Sequence, residues 1–507
     1  MSPVKQRHDR LALICLIIAL CFLVLDRWVM LDQFGFRYVD DDQSIMWYGA
    51  VEMSQGRFHE PCFYGQNYNT MLEGFVAIPL LWSGIPPNIA LPIISSAFAL
   101  FPFLLLGLLL YRERAYFIAC TVLVLPITMS PEFGMISSMP RGFVTGVFLA
   151  SLTVLPLFSK RSIFLLLTPF FAILALFANP NAVIVLFPVG LLILLNYYAD
   201  RRLYLLGIAG AIPAAVLYYL GSHYYDLHPR NVVHGAWDLG YSVSRIRWAS
   251  LRYFDELSPV LWGKGVFVLL LLILMATVFW ARKQWKPAIA LTLGIVFIIV
   301  SCGFYKVNDG IPSVFYPWAR MFLAIPFLIA LFLSQFKMTL PGRSIVVLPI
   351  IAIGFFGFKS VELSVVMERQ LALQREKRIE VVAVSEFKEH CEKVAQSAHS
   401  VNAELVVVSH GLHKHLSTYG CSCLIADFPR IIEPELDRRT WLLKESATRV
   451  IPRVLFLVPG MIRSLDPTTQ IAPFEIVSQE PFLVLLTGNT LRTDSLVAKL
   501  GFGMRPY

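Results

Sequence analysis

The sequence predicts a polytopic α-helical membrane protein of about eleven spans that continues into a C-terminal extracytoplasmic α/β domain. Of its 507 residues, 57% are hydrophobic and only 15% are charged, a balance that soluble domains seldom have. Apolar runs recur through residues 1–360, and the loops between them divide into a basic set and a mixed set. Beyond residue 360 the composition becomes that of a soluble region.

The first apolar run, residues 11–30, follows a basic N-terminal segment. It resembles a signal peptide, but Asp26-Arg27 stands where a small-residue cleavage site would be needed, so we expect a retained helix. Segment 74–83 is apolar but too short to cross, and fits a re-entrant or interfacial helix. The other predicted spans lie near 88–111, 115–130, 142–158, 162–178, 182–199, 203–221, 265–281, 287–305, 318–335 and 344–360.

The distribution of basic residues orients these spans. One set of connections is short and rich in Lys and Arg, whereas the loops 31–87, 222–264 and 306–317 are long and mixed. By the positive-inside rule the N-terminus is cytoplasmic, and an odd number of spans places the C-terminal region outside. The net charge of +9 follows from this topology, so we expect no nucleic-acid partner. The basic connections contain Arg112/Arg114, Lys160/Arg161, Arg201/Arg202, Arg282/Lys283/Lys286 and Lys337/Arg343.

The C-terminal region, residues 361–507, predicts a small α/β domain attached to a membrane domain of residues 1–360. Short apolar runs bounded by turn residues lie at 405–409, 454–458 and 481–486, which is typical of buried strands. Helical patterns at 385–399 and 440–446 alternate with them.

Four cysteines fall on the predicted outer face, where disulfides form. Cys391 is positioned in the sequence to pair with Cys421 or Cys423, and the residues alone leave both pairings open. Histidines 410, 413 and 415 precede this pair, but their spacing matches no standard zinc pattern, so we interpret the segment as a solvated loop.

Three consecutive acids, Asp40-Asp41-Asp42, follow the first span, and residues 45–53 continue with helical spacing. This predicts an amphipathic helix on the membrane surface whose N-terminus the carboxylates cap. A cap needs one carboxylate, however, and the mutual repulsion of three requires a cation or a proton donor nearby. The triplet therefore favours a functional site over a simple cap.

Several short motifs carry a family resemblance. The acidic triplet is followed by Ala50-Val51-Glu52, Gly56-Arg57-Phe58 and the stretch from Tyr64 to Tyr68, and then by Leu72-Glu73; a later run covers residues 318–326. Together these resemble the GT-C superfamily, and more narrowly the bacterial relatives of the protein O-mannosyltransferases and aminoarabinose transferases (family 39). The resemblance extends over residues 10–335, and the first outer loop is its specific part.

The resemblance implies an inverting glycosyltransferase that takes a sugar from a polyprenyl-phosphate carrier on the non-cytoplasmic face. Such a displacement needs a base for the acceptor hydroxyl, and an aspartate within hydrogen-bond reach serves. The motif alignment favours Asp42 as this base, then Asp41, with Asp40 completing the catalytic set. Gln43 occupies the position where the family commonly has a second acid, so the assignment within the triplet stays open.

The leaving lipid phosphate needs fixed positive charge, for which Arg320, Arg141 and Lys306 are the outer-face candidates. Each of them also fits an interfacial anchor. The residues that we expect to line the sugar or acceptor pocket are Tyr64, Gln66, Asn67, Tyr68 and Glu73. The stretch Tyr-Gly-Gln-Asn, residues 64–67, is also a good turn.

We expect no required cofactor and assign no metal ligand, although Asp40 and Asp42 are suited to hold a divalent cation such as Mg²⁺ or Mn²⁺. The expected partners are a polyprenyl-phosphate sugar, membrane lipid, and a glycan, lipid or protein acceptor. The resemblance places the protein in a bacterial cytoplasmic (inner) membrane. A lipid-linked sugar flippase or transporter, and an outer-face glycan ligase or polymerase, remain as alternative functions.

Overall fold

The structure, a computed structural model, describes residues 3–232, 240–256, 266–308, 313–315, 320, 323–336, 342–377, 381–408, 414–432, 451, 453–457, 475–478, 483–486 and 492. The predicted helix 440–446 and the histidines at 410 and 413 lie outside these residues. The rest is mostly helical as far as residue 377 and mixed thereafter.

The helical part begins with α1 and ends with the long α16. Apolar residues occupy most positions of the candidate spans, as expected for helices surrounded by other helices or lipid. The helices of this part are α1 Pro3–Met30, α2 Asp41–Ser54, α3 Leu72–Trp82, α4 Pro87–Arg112, α5 Tyr116–Val124, α6 Pro131–Ser138, α7 Thr145–Ser151, α8 Leu155–Phe158, α9 Ser162–Ala178, α10 Val183–Tyr197, α11 Arg201–Leu227, α12 Val243–Glu256, α13 Val266–Ala281, α14 Trp285–Ser301, α15 Ile325–Ser334 and α16 Val347–Lys377.

Among the described residues, five helical segments are long and apolar enough to cross a membrane. A sixth candidate is the pair Tyr116–Thr128 and Pro131–Ser138, which meet at 88°. The eleven predicted runs all overlap helices, and the other five fall on shorter apolar helices of 10–17 residues. A mostly helical fold with five or six candidate membrane spans is therefore confirmed, whereas the count of eleven stays a prediction. The five long segments are Arg10–Gly35, Pro87–Arg112, Pro180–Tyr197, Arg201–Leu227 and Ser344–Gln374.

The remaining elements form two sheets. A two-stranded antiparallel ribbon joins β1, Tyr38–Asp40, to β2, Val381–Ala383. A five-stranded sheet of order β4-β3-β5-β7-β6 has β3 parallel to β4 and β5, and β7 antiparallel to β5 and β6. The elements are α17 Val384–Ser400, β3 Leu405–Val408, α18 Lys414–Leu424, β4 Arg430–Ile432, β5 Arg453–Leu457, β6 Glu475–Ser478 and β7 Leu483–Leu486.

The three predicted strands coincide with β3, β5 and β7, and the predicted helix 385–399 coincides with α17. Val406 and Leu455 are fully buried in the sheet, against Val394 of α17. The boundary at residue 361 falls inside α16, which runs through Lys377. The separation of the chain into two domains stays a prediction.

The helix α2 differs from the expected surface helix. It is buried on two faces, because α3 packs on one side and α18 on the other. Trp47 and Ala50 are fully enclosed, and Gly420 of α18 lies against Ser44. A Cβ at Gly420 would come within 2.7 Å of the Phe387 ring, so the close approach of α18 requires glycine. The sequence shows no sign of this, since the covering helix lies far along the chain.

A disulfide joins Cys391 of α17 to Cys421 of α18, which resolves the pairing that the sequence left open. Both half-cystines are buried in the same apolar cluster as Trp47 of α2. Cys423 carries a free thiol. The bridge therefore ties α18, which packs on α2, to α17.

Candidate functional site

The acidic triplet lies at the junction of β1 and α2, and the structure gives its members different environments. Asp40 ends β1 with extended backbone and caps α2, since its Oδ1 accepts a hydrogen bond from the backbone N–H of Gln43 at 2.9 Å. Its side chain is 4% exposed, whereas that of Asp42, in the first turn, is 36% exposed. Asp41 is partly buried. One aspartate is thus the cap and another faces open space.

Arg141 is the cation that the clustered carboxylates require. Its Nη1 donates to Asp40 Oδ2 at 3.0 Å, and its Nη2 donates to Asp42 Oδ2. The guanidinium is 5% exposed and lies 5.0 Å from the centre of the Phe143 ring. Burial raises the pKa of Asp40, an effect that Arg141 opposes and the charge of Asp42 reinforces. Asp42 is the more exposed of the two carboxylates that Arg141 contacts.

The segment that carries Arg141 is fixed by three buried polar side chains. The backbone N–H of Gly142 donates to Glu73 Oε2 at 2.9 Å, and its carbonyl accepts from Asn179 Nδ2 at 2.9 Å. Gly142 has a φ of +73°, where a side chain would be strained. Asn181 Nδ2 donates to the carbonyl of Phe143 at 2.8 Å.

Glu73 differs from the expected pocket residue in its surroundings. It lies in the first turn of α3, is fully buried, and faces the Arg141 segment. Burial raises its pKa to about 7, against the opposing hydrogen bond from the Gly142 N–H. The sequence motif indicated that this carboxylate matters but not what it contacts.

The other predicted pocket residues form a closed turn. The backbone N–H of Phe63 donates to the Asn69 carbonyl at 2.7 Å, and the Asn69 amide donates to Gln66 Oε1 at 3.1 Å. Tyr64 is buried, and Asn67 and Tyr68 lie at the tip. The turn expected from Tyr-Gly-Gln-Asn is therefore present, and its contact with a sugar stays a prediction.

A cavity of about 350 Å³ lies beside this turn. Its walls are mostly apolar, with Phe75, Leu149 and Phe177 from α3, α7 and α9. His59 and Glu60 stand among the lining residues as its polar part. Tyr64 also lines it. The first outer loop, residues 31–87, therefore contributes to the walls of the cavity and, through Asp40 and Asp42, to the contacts of Arg141.

A second ion group lies near this cavity. Glu52 accepts from Arg57 Nε and Nη2, both at 2.6 Å, and lies 2.9 Å from His59 Nε2. Burial alone would raise the pKa of Glu52, but the bonds from Arg57 and His59 outweigh it and lower the pKa to about 2. The family-like Ala50-Val51-Glu52 motif thus ends in a carboxylate that ties α2 to the following turn.

Of the other two predicted phosphate ligands, Arg320 lies close to the same network. Its backbone carbonyl accepts from Asn181 Nδ2 at 3.1 Å. Lys306 lies in the short 3-10 turn Tyr305–Asn308, and its side chain is outside the described atoms. The structure thus links the Arg320 backbone, through Asn181, to Phe143, two residues after Arg141.

Asn179 and Asn181 were not predicted. They belong to an Asn-Pro-Asn turn between α9 and α10, where Asn179 Oδ1 accepts from the Asn181 N–H at 3.0 Å. The only sequence signal was a turn-forming tripeptide between two apolar runs.

The two carboxylates that the sequence suggested for a divalent cation, Asp40 and Asp42, share a cationic partner in the structure. Arg141 contacts both Asp40 and Asp42. Within the described ranges, no group of three or more His, Cys, Asp and Glu side chains is arranged to hold a metal ion. Binding of a divalent cation at the triplet stays a prediction from the sequence.

The fold was compared with known proteins. The chain superposes on the crystal structure of ArnT from Cupriavidus metallidurans in the apo state with a TM-score of 0.57, over 92% of this chain and 97% of that chain. It has the fold of ArnT. ArnT is an aminoarabinose transferase of the GT-C superfamily, so the resemblance drawn from the first outer loop is confirmed at the level of the fold.

The second match is the crystal structure of ArnT from the same organism bound to undecaprenyl phosphate, with a TM-score of 0.58 and the same coverage. Sequence identity to the two ArnT structures is 12% and 13%, so the comparison establishes the fold and not the reaction. No protein-family profile and no curated protein sequence matches the chain.

Proposed function

We propose that this protein is an integral-membrane, inverting glycosyltransferase that moves a sugar from a polyprenyl-phosphate donor to an acceptor on the non-cytoplasmic face. One observation carries the proposal: a partly exposed carboxylate, Asp42, is held by the buried Arg141 at the start of a helix in an ArnT-like fold. A base that is ionised, oriented and open on one side is what attack by an acceptor hydroxyl requires.

In the proposed reaction, Asp42 takes the proton of the acceptor hydroxyl as its oxygen attacks the anomeric carbon. The bond between that carbon and the phosphate oxygen breaks, and the lipid phosphate leaves with the electron pair. Attack from the face opposite the leaving group inverts the anomeric configuration. Arg141 holds Asp42 in place, and Asp40 holds Arg141 while capping α2.

The leaving phosphate needs more positive charge than Arg141 supplies. With both carboxylates ionised, the group of Asp40, Asp42 and Arg141 carries one net negative charge. Arg320 and Lys306 are the residues that we assign to the phosphate, with Arg141 at its edge. The proximity of the Arg320 backbone to the Phe143 carbonyl, through Asn181, supports this assignment.

The cavity between α3, α7 and α9 is the proposed place for an apolar part of a substrate. Its volume of about 350 Å³ and its aromatic and aliphatic walls suit a stretch of lipid chain. Since ArnT was crystallised with undecaprenyl phosphate, a lipid of this class is the donor carrier that we propose. Tyr64 and its turn are the proposed contact for the sugar or the acceptor.

The orientation in the membrane also belongs to the proposal. The pairing of β1 with β2 puts the first outer loop and the segment after α16 on one side. The disulfide between Cys391 and Cys421 favours an oxidising compartment for that side. We place the site on the outer face of a bacterial inner membrane, with the N-terminus in the cytoplasm.

The test is sugar transfer by the purified protein in lipid from a panel of synthetic polyprenyl-phosphate sugars. Wild type is compared with Asp42→Ala and Asp41→Ala, and with Asp32→Ala as a matched control, since Asp32 is an exposed carboxylate paired with Arg37 near the site. We expect transfer or slow donor hydrolysis that Asp42→Ala removes and Asp32→Ala retains. Absence of any reaction with every donor would overturn the proposal.

A flippase is the second candidate, and one observation favours it. Asp26 and Lys359 form a buried ion pair at 2.8 Å between α1 and α16, and the buried Arg27 donates to Ser137 at 2.9 Å. Buried charge within spans is typical of transporters. If lipid-linked sugars cross the bilayer equally well in wild type and Asp42→Ala while no transfer occurs, the flippase takes precedence.

A further inference from the structure

A single buried amide joins the segment that carries Arg141 to the backbone of Arg320. Asn181 Nδ2 donates to the carbonyl of Phe143, two residues after Arg141, at 2.8 Å, and to the carbonyl of Arg320 at 3.1 Å. Asn181 is 1% exposed. These segments come from different parts of the chain, so their relative position depends on this shared donor group.

The amide is itself held rigidly. The N–H of Asn181 donates to Asn179 Oδ1, and the Asn179 amide donates to the Gly142 carbonyl. A Cβ built on Gly146 of α7 would lie 2.6 Å from the Asn179 carbonyl and 2.9 Å from Asn181 Oδ1, so the turn packs tightly against α7. Gly142 is also fixed through its N–H, which donates to Glu73 Oε2 at 2.9 Å.

We infer that Asn181 is a positioning residue that sets the spacing of Arg141 and Arg320 for the phosphate of the lipid donor. The inference rests on the proposed function and adds a specific determinant to it. A phosphate is bound well only when its cationic partners stand at matched distances, and misplacement by about 1 Å lowers catalysis strongly. Since Arg141 is pinned by two carboxylates, Arg320 is the partner whose position Asn181 adjusts.

The test variant is Asn181→Asp, which keeps the size and the Oδ1 acceptor but replaces the donating Nδ2 with an acceptor facing two carbonyls. Asn181→Ala removes the donor without adding charge, and covers the case in which the aspartate variant does not fold. The matched control is Asn196→Asp on α10, because the Asn196 amide also donates to one backbone carbonyl, that of Leu192 at 2.9 Å, away from the site.

The readout is binding of undecaprenyl phosphate and of uncharged undecaprenol to the protein in lipid nanodiscs, together with kcat and KM for donor. We expect undecaprenyl phosphate to bind about tenfold more weakly to the Asn181 variants, because Arg320 is no longer held at a matched distance from Arg141, with undecaprenol unchanged. The Asn181 variants should raise the KM for donor and lower kcat, whereas Asn196→Asp should behave as wild type does.

Two outcomes overturn the inference separately from the proposed function. If the Asn181 variants transfer sugar with normal kinetics and bind both lipids as wild type does, the positioning role is wrong and the transferase remains. If both lipids lose affinity equally, the role of Asn181 is structural and not directed at phosphate. If wild type transfers no sugar and does not prefer the phosphate over the alcohol, the proposed function falls together with the inference.

Discussion

Replacing Asp42 by asparagine, in comparison with the same change at Asp40, distinguishes the roles of the two carboxylates that Arg141 contacts. Asp42→Asn keeps the size of the side chain but removes the base, whereas Asp40→Asn keeps a good helix cap, since asparagine caps as well as aspartate. The variants are matched because each removes one charge from the same ion group. Their effects on sugar transfer should differ greatly.

The expected magnitudes follow from the environments. General-base catalysis contributes about 10² to 10⁴ in rate, so Asp42→Asn should lower kcat by that factor, or about 3–5 kcal/mol. Asp40 is 4% exposed, and burial raises its pKa, so desolvation offsets much of what its ion pair contributes. Asp40→Asn should therefore lower kcat less than about tenfold and change stability by about 1 kcal/mol.

The assay is the initial rate of transfer from a reactive polyprenyl-phosphate sugar, measured for both variants in the same lipid with thermal melting as a check of folding. Asp32→Asn serves as the control for loss of an exposed charge, because its carboxylate is 57% exposed. The reasoning is refuted if Asp42→Asn keeps a rate within about twofold of wild type, or if Asp40→Asn proves the more damaging change while remaining folded.

Three further predictions concern the surroundings of the site. Gly142→Ala should lower the rate of sugar transfer and the free energy of unfolding, the latter by about 1–2 kcal/mol, because φ is +73° there. Gly56→Ala, at φ +80° with open space around it, should lower stability equally but leave transfer normal. Equal transfer rates in the two variants would contradict the reasoning. Cys391→Ser should lower the melting temperature by several degrees and reduce transfer by loosening the helices over α2, and Cys423→Ser should do neither. Burial raises the pKa of Glu73 to about 7, so the folded state holds a proton that the unfolded state releases near pH 4.5. The free energy of unfolding should therefore fall by up to about 3 kcal/mol as the pH rises between these values. Melting curves of Glu73→Gln should lack this pH dependence.

The helical membrane part was predictable from sequence because its signal is local. Apolar runs record the surroundings of each helix directly, and every predicted run overlaps a helix. The strands β3, β5 and β7 were found for the same reason, as short apolar runs between turns. Segment 74–83 was recognised as too short to span, and corresponds to α3.

The candidate site was predictable only in part, since its contacts join distant segments. The repulsion among the aspartates required a cation, but no local pattern indicated that Arg141 supplies it. Glu73 was selected through a motif, yet its partner Gly142 lies in another loop. Asn179 and Asn181 were missed because their role depends on where two other backbones pass.

The burial of α2 was missed in the same way. Residues 45–53 have the spacing of a surface helix, and only the distant α18 turns that surface into an interior. A pattern within fourteen residues reports which face is apolar, but not whether the opposite face will be covered by a later part of the chain.

The ribbon of β1 and β2 has a consequence for the order in which the protein is built. Asp40 leaves the ribosome before its strand partner Val381, which emerges only after the segments that form α2 to α16. Because synthesis is vectorial and proceeds at about 5–20 residues per second, the aspartates wait while α2 to α16 are made before their strand is paired. Assembly of the ribbon is therefore a late maturation step, and a nascent chain stalled within the helical part would sit in the membrane with its acidic triplet still incomplete.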